Sequence, residues 1–110
     1  MSDPYRKAYV YVDEVYAGCL KETEEGYSFM YDETYLKDET SPHVSLTLPK
    51  RTEEYVSNVL FSFFDGLIPE GWLLNMVIKN WKLNQNDRFG LLLVACKDPI
   101  GNVTISEVRR

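Results

Sequence analysis

Residues able to carry out catalysis are few and scattered in this sequence. His43 is the only histidine, and a nucleophilic pair with it would need Cys19 or Cys96 beside it in space. Both cysteines lie in apolar neighbourhoods without the spacing of a metal or redox motif, so we expect small buried residues. His43 follows a proline in a polar loop, where an exposed or turn-capping role is expected. The sequence therefore predicts no catalytic residue and no bound metal.

Two carboxylates are the remaining candidates for acid–base chemistry. Asp65 and Glu70 flank a Gly-Leu-Ile-Pro turn and would form a pair if the turn brought them together. Their places at the end of one predicted helix and the start of the next favour helix capping instead. The glycines stand singly and form no phosphate-binding loop, so no cofactor is predicted either.

A helix predicted from Pro69 to about Lys82 has two apolar faces. Proline suits the first helical position, and Glu70 suits the positive end of the helix dipole. At about 100° per residue, the expected buried stripe consists of Leu73, Leu74, Val77, Ile78 and Trp81. The opposite face carries a second strip, which consists of Trp72, Met76, Lys79 and Leu83.

This second strip is unnecessary on a helix that covers a single core. Tryptophan and methionine are enriched in protein interfaces, so we expect the strip to bind a partner, with Trp72 as its anchor and Glu70 beside it. The alternative is that the sheet or the chain ends fold over the strip and bury it as a second core layer.

The elements that position this helix form a mainly antiparallel sheet. Short β-branched and aromatic runs predict strands over residues 8–12, 15–20, 27–31, 44–48 and 102–108, with the polar pair Asp13-Glu14 closing a hairpin. One helical turn is expected within residues 32–38, and helices over 59–67, capped by Ser57 or Asn58, and over 88–96. The alternative for residues 88–96, which contain six consecutive apolar residues, is a buried strand. The predicted fold class is α+β, with about five short strands and two to three helices packed at one side.

Length and charge limit the classes of function. The chain has 110 residues, which suffices for one compact domain over residues 1–110. Seventeen acidic residues against 12 basic ones give a net charge of −5, which disfavours direct binding to nucleic acid or anionic lipid. No apolar run approaches the roughly 20 residues of a membrane span, and no signal peptide is evident, so a cytoplasmic protein is expected.

The acidic residues are concentrated in the amino-terminal half. Between Asp13 and Glu39 there are nine acidic residues against two lysines. A run of this kind is expected to be the solvated side of a sheet and its turns. The alternative is an acidic docking surface.

Four motifs in order resemble the amino-terminal subdomain of HipA-type serine/threonine kinase toxins. Residues 60–72 (LFSFFDGLIPEGW) resemble its Leu-Phe-x-Phe-Phe-x-x-Leu-Leu-Pro-Glu-Gly motif, and residues 44–49 (VSLTLP) its Ser-Leu-x-x-Pro strand. Residues 87–92 (DRFGLL) and 98–103 (DPIGNV) are similar to its Asp-x-Phe-x-Leu-Leu and Asp-x-Ile-Gly-x-Val motifs. The resemblance extends from about Tyr9 to Ile105.

The resemblance implies a binding subunit and not an enzyme, because the ATP-binding and catalytic residues of the family lie in a kinase core that these residues do not contain. In split bacterial systems of this family, a small protein of this type, HipS, is the antitoxin of a shortened kinase, HipT. A helix-turn-helix DNA-binding protein, HipB, belongs to the same systems. The expected role is inhibition of a HipA-like kinase. The alternative is a subunit that assists the kinase or links it to a HipB-like protein without inhibiting it.

Overall fold

The computed structural model describes residues 5–68, 87–95 and 102–109 of the chain. Five strands and three helices are formed within these ranges. In chain order they are β1 (Lys7–Val12), β2 (Val15–Glu22), β3 (Tyr27–Tyr31), α1 (Glu33–Lys37), β4 (Tyr55–Ser57), α2 (Ser62–Asp65), α3 (Arg88–Ala95) and β5 (Val103–Ser106). The strands form one antiparallel sheet in the order β4-β3-β2-β1-β5. This architecture confirms the predicted α+β class.

Three alternate aromatic rings of β3 each contact a different helix. The pairs are Tyr27 with Phe89 of α3, Phe29 with Phe64 of α2, and Tyr31 with Tyr35 of α1, at ring-centroid distances of 6.0, 5.5 and 6.0 Å. Because alternate residues of a strand point to the same side of a sheet, the helices described here lie together on one side of it. This confirms the predicted grouping of the helices.

The core fills the space between this side of the sheet and the helices. Ala8, Val10 and Val12 of β1 are buried, and they are joined by Val103 and Ile105 of β5. The pairing of β1 with β2 shifts between Val10 and Tyr11, which forms a β-bulge. The opposite side, here called the outer face, carries Lys7, Tyr9, Cys19, Lys21, Ser28, Met30 and Val56.

The hairpin of β1 and β2 closes in two residues, as predicted. Val12 pairs with Val15, and both intervening residues adopt the left-handed conformation, with φ of 50° at Asp13 and 69° at Glu14. Positive φ at both positions is the geometry of a type I′ turn, whose twist matches that of the flanking strands. The turn therefore places glutamate in a conformation that favours glycine or asparagine.

The predicted strand over residues 44–48 is wrong. This segment is a tight turn closed by an isolated bridge between Ser45 and Leu48, and Leu46 at its tip is 96% exposed. The Tyr31 hydroxyl holds the turn, because it accepts a hydrogen bond from the Val44 N–H at 2.9 Å and donates one to the Leu48 carbonyl. The fourth strand is instead the three-residue β4, which pairs with β3.

The helices match the sequence prediction unevenly. The turn at α1 is confirmed, with Asp32 accepting a hydrogen bond from the Tyr35 N–H, and the helix expected over 88–96 is α3. The helix expected over 59–67 is shorter, since α2 spans only Ser62–Asp65 and follows Phe61 without a side-chain cap. Capping by Ser57 or Asn58 is therefore wrong, because β4 holds that part of the chain in extended pairing.

Candidate protein interface

The predicted contact residues Glu70, Trp72, Met76, Lys79 and Leu83 lie outside the described residues, as does the whole predicted helix over 69–82. The structure describes the chain immediately before and after this segment. Those flanking residues show how the predicted contact is attached to the fold.

The chain enters the segment from the core. After α2, the Leu67 N–H donates to the Phe64 carbonyl at 3.1 Å and the Ile68 N–H donates to the Asp65 carbonyl at 3.2 Å. Ile68 is 3% exposed and Phe64 is completely buried. The last residue described before the segment is therefore fixed in the hydrophobic core.

The chain leaves the segment at a capped helix start. One Asp87 oxygen accepts a hydrogen bond from the Gly90 N–H at 3.1 Å, which is an N-cap arrangement. Arg6 binds Asp87 through both terminal nitrogens, at 2.9 and 2.7 Å, and also binds Glu22 at 2.7 Å. These bonds from Arg6 lower the pKa of both carboxyl groups. Phe89 follows, completely buried.

An ion pair joins the residues that precede and follow this segment. Arg88 Nε lies 2.7 Å from Asp65 Oδ1, and both side chains are partly exposed. Asp65, for which helix capping was predicted, binds the first residue of α3. In the sequence, the sign of this ion pair is the opposite charge of Asp65 and Arg88. That sign is weak, because the fold decides which distant residues pair.

An open cleft of about 420 Å³ adjoins this ion pair. Its lining consists of Tyr27, Asn58, Val59, Leu60, Asp65 and Arg88. Val59, the first residue of the helix predicted over 59–67, is 65% exposed, because the short α2 begins three residues after it. The cleft thus offers exposed apolar surface beside the point where residues 69–86 leave and rejoin the described fold.

The candidate catalytic residues are on separate elements. His43 is exposed in the loop after α1, where its Nδ1 accepts a hydrogen bond from the Lys50 N–H at 2.7 Å. Cys19 is half-buried on the outer face, which corrects the expectation of a buried residue, and burial raises the pKa of its thiol. Cys96 and Glu70 lie outside the described residues. Within the described ranges, no three side chains of the metal-binding types converge.

The acidic run between Asp13 and Glu39 supplies turns and caps in the described fold. Asp13 and Glu14 form the first turn, and Glu24 and Glu25 are exposed in the second. Asp32 caps α1, as described above. This distribution agrees with the solvated side of a sheet and its turns. Nowhere in residues 5–68, 87–95 and 102–109 is a helix long and apolar enough to cross a membrane.

The described elements define a small α+β protein, with helices on one side of a five-stranded antiparallel sheet. The family model for the HipA N-terminal domain matches residues 8–106. A solved structure of the N-terminal domain of HipA toxin superimposes with a TM-score of 0.71, at 26% identity, over 96% of this chain and 95% of that one. A Haemophilus influenzae protein, described as uncharacterized, is 30% identical over 110 residues, the full length of both chains.

The chain belongs to the HipA N-terminal domain family. Its 110 residues contain this domain and not the kinase catalytic domain. Family membership relates the chain to toxin–antitoxin systems.

Proposed function

We propose that this chain, as a single domain over residues 1–110, is a non-catalytic subunit that docks on a HipA-like serine/threonine kinase and inhibits it. The proposal assigns the role of a HipS-like antitoxin in the cytoplasm of a bacterium, with a HipT-like kinase as the direct partner and a HipB-like DNA-binding protein in the same assembly. The match to the HipA N-terminal domain without a kinase catalytic domain carries this proposal. The related H. influenzae protein is aligned over its full length, so the domain occurs there without a kinase core.

The docking surface is the strip of Trp72, Met76, Lys79 and Leu83, with Glu70 beside it. The residues on either side of the segment that carries this strip support the choice, because Ile68 and Phe89 are buried in the core and Asp65 is paired with Arg88. A segment attached at both ends to a packed core loses less conformational freedom on binding than a free tail, which favours affinity. The cleft lined by Val59 and Tyr27 extends the apolar surface next to it.

The inhibition is steric in this proposal. Trp72 anchors the contact, and the bound subunit blocks or distorts the active site of the kinase without a reaction of its own. Nothing in this mechanism requires a nucleophile, a metal or a cofactor on this chain.

Co-expression with the HipA-like kinase of the same organism tests inhibition directly. The wild-type chain should restore growth that the kinase suppresses, and Trp72→Ala should not. Leu46→Ala is the matched control, because Leu46 is an exposed apolar side chain on the turn after α1. Co-purification of the kinase without rescue of growth would favour the assisting or linking role, and absence of the kinase from the purified wild-type protein would contradict both roles.

A further inference from the structure

The outer face of the sheet contains an exposed apolar centre. Met30, Cys19 and Tyr9 are direct cross-strand neighbours on β3, β2 and β1. Met30 is 51% exposed, and Val56 on the adjacent β4 is 62% exposed. None of these side chains belongs to the core, which lies on the other side of the sheet. The outer face therefore exposes apolar side chains at this centre.

A pair of lysines borders this centre. Lys7 and Lys21 are directly opposite each other on β1 and β2, and neither forms an ion pair with any residue in the described ranges. Like charges in this arrangement destabilise a sheet. The fold thus carries an electrostatic cost on the outer face in a chain whose net charge is −5.

Ser28 provides an independent observation on the same face. It is the neighbour of Lys21 on one side and of Val56 on the other. The residue is 2% exposed, and its Oγ has no hydrogen-bond partner among the described residues. A buried hydroxyl without a partner is costly in a folded protein. A hydrogen-bond acceptor supplied by a bound partner would satisfy it.

We propose that the outer face binds an acidic, partly apolar segment of a partner protein. Its apolar side chains cover Met30, Val56 and Tyr9, and its carboxylates bind Lys7 and Lys21 and accept a hydrogen bond from Ser28. Charge complementarity selects this occupant. A second copy stacked face to face would bring two lysine pairs together, and a nucleic acid would need more cationic contacts to offset the repulsion from an acidic chain. The site consists of residues of β1 to β4 and includes none of the residues of the proposed strip around Trp72.

Binding of a labelled peptide that alternates glutamate with leucine tests the proposal, measured by fluorescence anisotropy with the full chain. The expected result is saturable binding that weakens as salt is added, because exposed charge pairs are screened. Lys7→Glu should weaken it about fivefold. Lys37→Glu, the matched control, changes the net charge equally at an exposed lysine on α1 and should leave binding unchanged.

Several outcomes would overturn the proposal. Absence of saturable binding, or equal effects of Lys7→Glu and Lys37→Glu on peptide affinity, would contradict the acidic peptide as the occupant. Tighter binding of an oligothymidylate than of the acidic peptide would indicate nucleic acid instead. Sedimentation of the free chain as a dimer that Lys7→Glu strengthens would indicate a second copy of the chain. Each is independent of kinase inhibition, since Trp72→Ala should leave peptide binding intact. A chain that fails to inhibit the kinase but binds the peptide would contradict only the proposed function.

Discussion

Asp65 and Arg88 are 23 positions apart in the sequence, yet their side chains form an ion pair of 2.7 Å. The pair connects the last residue of α2 with the first residue of α3. Because the predicted contact segment lies between these two residues, the pair fixes the positions from which that segment starts and to which it returns.

Replacing Arg88 with methionine should lower the free energy of unfolding by about 0.5–1 kcal/mol, since both partners are partly exposed to solvent. Urea denaturation of both proteins measures the difference. Lys37→Met is the matched control, because it removes a longer pair of 3.5 Å between two exposed side chains and should cost less than about 0.3 kcal/mol. Equal losses would show that the Asp65 pair has no special role.

Trp72→Ala should weaken binding to the HipA-like kinase by at least about 2 kcal/mol, or roughly thirtyfold in Kd. A buried tryptophan covers 150–250 Å², which sets an upper limit of about 4–6 kcal/mol. Isothermal titration with the purified kinase measures the change. Leu46→Ala should leave Kd within about twofold, and unchanged circular dichroism of the alanine variant at position 72 would exclude unfolding as the cause.

Glu14→Gly should stabilise the protein by about 0.5–1 kcal/mol, because the left-handed conformation of Glu14 costs energy for any residue with a β-carbon. Thermal or urea unfolding measures it. Glu24 is an exposed glutamate in the next turn and has no positive φ, so Glu24→Gly should give no gain. Stabilisation by both substitutions would point to relief of negative charge instead.

Acid should remove the contribution of Arg6 to stability. Hydrogen bonds from Arg6 hold the pKa values of Glu22 and Asp87 below their ordinary range. A lowered pKa in the folded state gives stability that is present above the ordinary carboxyl pKa, near 4, and is lost as the pH falls through the lowered values. Arg6→Met should therefore cost about 1 kcal/mol at pH 7 and almost nothing near pH 2. A cost that is independent of pH would assign the effect to packing of the Arg6 guanidinium on the Phe89 ring, whose centroid lies 5.3 Å from Arg6 Cζ.

The thiol of Cys19 should react slowly with iodoacetamide at neutral pH, since burial raises its pKa and only the thiolate is nucleophilic. Lys7 and Lys21 act in the opposite direction, so Lys7→Met should raise the pKa further and move the pH profile of alkylation upward. Peptide-resolved mass spectrometry separates Cys19 from Cys96. Lys37→Met should leave the profile in place, and a downward shift with Lys7→Met would contradict the charge arrangement of the outer face.

Local patterns were sufficient to predict the strands that have strong alternation. Tyr27, Phe29 and Tyr31 share one face as their spacing indicates, and the Asp13-Glu14 turn closes the expected hairpin. The segment around Leu46 alternates equally well but is a turn, because the distant Tyr31 hydroxyl holds both of its ends.

The short β4 is stabilised by pairing with β3, which three residues do not reveal in isolation. Long-range side-chain partners such as Asp65 and Arg88 were also invisible, since the sequence shows the charges but not the fold that brings them together. The predicted contact around Trp72 lies outside the described residues and remains a prediction.

The three rings of β3 also have an evolutionary consequence. Each helix packs against a different ring. Tyr27 contacts α3 and Phe29, two residues further along, contacts α2, so a substitution at Tyr27 acts first on the packing of α3. Natural selection can therefore alter the α3 contact at Tyr27 while Phe29 and Tyr31, whose rings lie 5.1 Å apart, keep α2 and α1 packed on the sheet. Single substitutions can thus adjust this end of the fold without loss of the core.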